Sequence, residues 1–117
     1  MRRPRAATLA ACLAGCFVGG AIPAPAEPPL DFNRDIRPIL SENCFYCHGQ
    51  DGNKREADLR LDDRDAAIAA AAIVPGDPGA SVMLERIHST DPDVIMPPPN
   101  SNRRLSAEQK KIGRAHV

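Results

Sequence analysis

The chain has 117 residues, with 15 Lys+Arg against 15 Asp+Glu, four Cys, three His and no Trp. That length holds one small domain, which excludes a multidomain enzyme and a polytopic membrane protein, and the balanced charge argues against nucleic acid as a partner. Three Phe and one Tyr leave a thin core, and a small domain with a thin core needs a staple, a metal or a cofactor.

The first segment reads as an export signal. Arg2, Arg3 and Arg5 form a basic start, Ala6 to Ile22 is apolar and small, and Ala24-Pro25-Ala26 is a cleavage site before Glu27. Residues 1–26 are therefore expected to be a signal peptide, with a single retained membrane anchor as the weaker alternative. Leu13-Ala14-Gly15-Cys16 offers a second cleavage pattern, in which Cys16 carries lipid. Membrane attachment is expected only in that case. Either way the chain is expected outside the cytoplasm, periplasmic or extracellular.

The next segment reads as a helix. Phe32, Ile36, Ile39 and Leu40 recur at helical spacing, and Cys44 continues the same face. Asp31 or Asn33 can cap its start, and Pro38 should kink it or mark its true first turn.

Cys44-Phe45-Tyr46-Cys47-His48 follows. This is C-x-x-C-H, the attachment signature for c-type haem. Two thiols on one turn can each add to a vinyl group of a porphyrin, and the adjacent imidazole then supplies the proximal iron ligand. Cys44 and Cys47 are thus expected as covalent haem thioethers and His48 as the proximal ligand, with one haem c as cofactor. Competing readings are a redox dithiol, a zinc site and a structural disulfide. No alternating strand precedes Cys44, and no second Cys/His pair follows.

Beyond the motif, residues 49–56 form a polar loop, and Ala57-Asp58-Leu59-Arg60-Leu61 alternates as a brief extended segment would. Asp62 to Ala72 predicts a short helix capped by Asp62 or Asp63, and Pro75 to Gly79 a turn. Ser81 to His88 predicts a short amphipathic helix capped near Asp77 or Ser81. Met96 precedes Pro97-Pro98-Pro99, which cannot continue a helix, so its thioether is offered from an extended loop. Met96 is the expected distal iron ligand. Met83 reads as core filler and His88 as a helix-end charge, though each remains an alternative ligand beside an open site.

Ser106-Ala107-Glu108-Gln109 is a capping box that should open a closing helix. Only Lys110, Lys111 and Ile112 precede Gly113, too few for a helix body. Ile112-Gly113-Arg114-Ala115-His116-Val117 reads as translated sequencing adapter, so residues 27–111 are expected to be a haem domain cut short at its C-terminus. That stretch has 11 Lys+Arg against 15 Asp+Glu, and it retains only Cys44 and Cys47 of the four cysteines.

Taken together, the chain resembles the cytochrome c-like domain found near the N-terminus of many large secreted planctomycete proteins. The matching stretches are Asp31 to Leu40, Cys44 to Gly49, Ala57 to Asp62, Ile73-Val74-Pro75-Gly76 and Met96-Pro97-Pro98-Pro99. The resemblance implies an all-α, class I-like fold around one haem. It implies His48 and Met96 as axial ligands and Cys44 and Cys47 as the thioether pair. It further implies that other domains follow. The expected function is one-electron transfer to a redox partner protein or a fused downstream domain, without catalytic activity of its own. The alternatives are a peroxidase-like enzyme or ligand sensor with an open distal site, and a thiol–disulfide domain using Cys44 and Cys47.

Overall fold

The computed structural model describes residues 20–117. Residues 1–19 of the candidate signal segment, with Cys12 and the alternative lipidation site Cys16, lie outside the described residues. Among the described residues the structure is helical and has no strand. No helix there is long and apolar enough to cross a membrane.

Asp31 is extended, and its side chain accepts from Arg34 N at 2.8 Å, which opens a π-helical segment, Phe32–Ile36. Helix α1, Arg37–Asn43, continues it. Pro38 is the second residue of α1, where its missing N–H falls in the first α-helical turn. The wider π turn absorbs the change in geometry just before it. Asp31, rather than Asn33, is the cap. Ile36 and Leu40 are the buried residues of this face.

Helix α2, Arg64–Ala69, is capped by Asp63, which accepts from Ala66 N at 3.1 Å. Asp62 is not available as a cap because Arg60 holds it through two hydrogen bonds, at 2.7 and 3.1 Å. The helix is shorter than expected. Ala71 takes a left-handed conformation (φ 52°), which ends it before Ala72. Ala67 and Ala72 are buried with Leu61, and Cys44, Phe45, Leu59, Ile73 and Met83 pack around that cluster. Small residues here let α2 approach the Cys44–His48 turn closely.

The segment from Ala57 to Leu61 departs from the sequence expectation. Ala57 and Asp58 both have positive φ (54° and 50°), so the chain turns instead of extending. Leu59 N bonds to Glu56 O and Leu61 N to His48 O. With no neighbouring strand to pair with, the backbone satisfies itself locally and against the motif turn. The alternation still marks Leu59 and Leu61 as the inward side chains.

Helix α3, Val82–His88, begins after Ser81. Ser81 is buried but does not cap the helix. Its Oγ accepts from Val74 N at 2.9 Å and donates to Asp77 O at 2.9 Å, pinning the expected turn around Gly76. The first N–H groups of α3 go to Ala71 O and Ala72 O instead. Leu84 and Ile87 are its buried side chains. A 3₁₀ turn, Pro99–Ser101, leads to helix α4, Ala107–His116. The capping box forms as the sequence predicts, between Ser106 and Gln109. Helix α4 has ten residues, where the sequence reading allowed almost no body. It runs through Gly113, whose missing side chain faces Ile87, and ends with His116 against the Phe32 ring (5.8 Å).

Candidate haem site

The C-x-x-C-H residues form a single helical turn beyond α1. Leu40 O accepts from both Cys44 N and Phe45 N, and Cys44 O accepts from His48 N at 2.9 Å and Cys47 N at 3.2 Å. This turn is tied to the following loop by Glu56 N donating to Cys47 O and Leu61 N donating to His48 O, both 2.8 Å. Gly49 is buried directly after His48. A Cβ there would lie 2.3 Å from Phe45 O, so only glycine lets the backbone close this tightly.

A cavity opens on one side of the turn. It takes in about 790 Å³ counting its open mouth. Cys44, Cys47 and His48 line it together with Leu59, Leu61, Met83, Ile87, Met96, Pro97 and Pro98. The walls are thus mostly apolar, and the three motif residues and Met96 meet there across about 50 positions of sequence. Met96 is anchored by its N–H donating to Arg86 O, at 3.2 Å, and the Met96–Pro97 peptide bond is cis.

Met83 lines the same cavity and also packs on the Leu61–Ala67–Ala72 cluster. His88 does not reach it. That ring is exposed, and its Nδ1 donates to Leu84 O at 2.8 Å within its own helix. His116 borders a second apolar cavity, of about 1,350 Å³ counting its mouth, between the π segment, α1, α2 and α4. Cys44, Leu61, Met83 and Ile87 belong to both cavities.

These residues fit a haem. The buried Nδ1 of His48 has no hydrogen-bond partner among the described residues, a cost of about 1–3 kcal/mol for a ring without further function. Neither Cys44 nor Cys47 is in a disulfide. Burial pushes the Cys44 thiol up to about 11, which the positive charge of Arg103 partly opposes. A redox-active dithiol depends on a thiol that ionises easily, and Cys44 has the opposite character. No group of three or more His, Cys, Asp and Glu suited to a bare metal ion exists among the described residues, which leaves the zinc reading without a ligand set.

One feature of the cavity wall was not legible in the sequence. Arg103 reaches it from a position 61 residues beyond its partner Glu42, and no local pattern marks it.

An all-α domain with C-x-x-C-H on an apolar cavity is the architecture of a c-type cytochrome. The family model for planctomycete cytochrome C matches residues 44–100, from the first motif cysteine to just beyond the Met96-Pro97-Pro98-Pro99 run. That match covers just under half of the chain and supports a cytochrome c-like, haem-binding domain over residues 44–100. Neither the curated proteins nor the solved structures include a significant match to the chain.

Proposed function

We propose that the chain is a mono-haem c-type cytochrome domain that carries single electrons outside the cytoplasm. The observation that carries this reading is the one apolar cavity lined by Cys44, Cys47, His48 and Met96. Cys44 and Cys47 would hold the haem by thioether bonds, and His48 and Met96 would ligate its iron. A haem held there would supply a one-electron couple, so that the domain could pass single electrons between redox proteins with no net bond made or broken.

The chain's own residues set the terms. The Cys44–His48 turn is tied to the loop that follows it, and the Met96 loop is held by Met96 N donating to Arg86 O and by the Asp91 turn, where Asp91 O accepts from Val94 N and Ile95 N. Leu59, Leu61, Met83 and Ile87 exclude water, and thioether ligation with burial favours the reduced state relative to a second imidazole. The basic, apolar start with Ala24-Pro25-Ala26 supports export, with lipid attachment at Cys16 as the alternative that would anchor the domain. The electron recipient is a separate redox protein or a fused downstream domain.

The test is expression in a periplasm competent for cytochrome c maturation, followed by an alkaline pyridine haemochrome spectrum after acid–acetone extraction. Covalent haem in one copy per chain is expected, and none in Cys44→Ala/Cys47→Ala. Met96→Ala should open a coordination position and bind carbon monoxide rapidly, while Met83→Ala should remain six-coordinate and slow. No covalent haem in intact exported protein would refute the reading. A Met83→Ala variant that alone binds carbon monoxide rapidly would move the distal ligand to Met83.

A further inference from the structure

Arg103 is a half-buried cation on a mostly apolar cavity wall. It sits between the 3₁₀ turn and α4, and three contacts fix it. Its backbone N donates to Ser101 Oγ at 3.3 Å, and its Nε donates to Glu42 O, at the end of α1, at 3.1 Å. Its guanidinium lies 5.1 Å from the centre of the Tyr46 ring, the residue just before Cys47. No carboxylate lies within 4.0 Å of it among the described residues. Arg34, Arg55 and Arg60, by contrast, are each paired with an aspartate.

We propose that Arg103 is a potential-setting residue, whose fixed and unneutralised charge on the cavity wall favours the reduced form of the cofactor. This rests on the haem reading above. Taking up one electron adds one negative charge to the cavity. A cation held in its wall stabilises that state more than the oxidised one, and a half-buried charge is screened less than a solvated one. Arg86 also borders the cavity but is exposed, with one Nη donating to Val94 O at 3.4 Å, so its field is weaker there.

A unit charge acting through an effective dielectric of about 20 across a cofactor-sized cavity changes the reduction equilibrium about tenfold. For a one-electron couple that is about 59 mV. The test measures the midpoint potential of the haem-loaded chain, with haem content read by pyridine haemochrome in each variant. Arg103→Met, which keeps the stem, should lower the potential by about this much. Arg103→Lys, which keeps the charge, should lower it by less than half as much. Arg104→Met removes an exposed neighbouring charge that does not line the cavity and should leave the potential nearly unchanged. The Arg103→Met shift should persist in high salt. An unmoved potential in Arg103→Met with full haem content overturns the proposal. So does an equal fall in Arg103→Lys, or loss of haem or of six-coordination in Arg103→Met, each of which makes the residue structural. Absence of covalent haem in the unsubstituted chain refutes the parent reading and this one together.

Discussion

Replacing Gly49 by alanine tests the turn that carries His48. The added methyl would lie 2.3 Å from Phe45 O and 3.2 Å from Phe45 C, and real Cβ contacts do not fall below 3.0 Å. One side must therefore move by about 0.7 Å. The obstacle is main chain, which has no rotamer to change. Both sides are also tethered: Phe45 N to Leu40 O, His48 N to Cys44 O, Leu61 N to His48 O, and Gly49 O to Arg55 Nε. Relief means loosening one or two of these bonds at about 1 kcal/mol each, or holding the strain, so Gly49→Ala should cost about 1–3 kcal/mol. A domain of this size has roughly 5–13 kcal/mol of stability in total. Gly52 supplies the control, because a Cβ there meets nothing within 4 Å and its φ is not positive. Gly52→Ala should be neutral or slightly stabilising, by at most about 1 kcal/mol, through the unfolded chain. The assay is urea unfolding of the haem-loaded chain followed by far-UV circular dichroism. Gly49→Ala should lower the midpoint at constant slope. Equal midpoints for the Gly49→Ala and Gly52→Ala variants would refute the argument that close backbone approach, and not glycine's flexibility, requires this residue.

Two further outcomes follow from the same structure. Leu84 is only 2% exposed, so Leu84→Ala should cost about 2–5 kcal/mol in the same unfolding assay, and a loss below about 1 kcal/mol would show that α3 does not form the core. The Arg34 side chain, followed by the backbone N–H of Asp31, holds the Asp35 carboxyl down to about 2. A depressed carboxyl contributes stability above its unfolded value of about 3.9, and that contribution disappears as pH falls through about 2. Thermal midpoints of the parent and Asp35→Asn should therefore differ near neutral pH and converge by about pH 2. A gap that stays constant across that range would show that the Asp35 charge contributes nothing.

The chemistry-bearing residues were legible because their signals are local. Cys44, Cys47 and His48 sit within five positions, and a helical turn brings such residues together whatever surrounds them. Capping by Asp31, Asp63 and the Ser106–Gln109 box was readable for the same reason, since each cap bonds to the backbone N–H three residues on. The segment 57–61 misled because five alternating residues fit a strand or a bend equally well. The choice fell to whether a partner strand existed to receive its hydrogen bonds. The sequence offers Asp77 or Ser81 as a cap for α3, yet the Ser81 hydroxyl serves the Val74–Asp77 turn, a competition between backbone groups that local pattern does not rank.

The amino-acid sequence by itself determined the motif turn, the helices' starting points and the inward residues on each. Only the tertiary structure decided that Leu61 and Arg103 line one cavity with Cys44, His48 and Met96, and that His88 does not. The physical reason is one of range. Capping and helical periodicity are settled within a few residues, whereas cavity walls depend on which distant surfaces come together to exclude water.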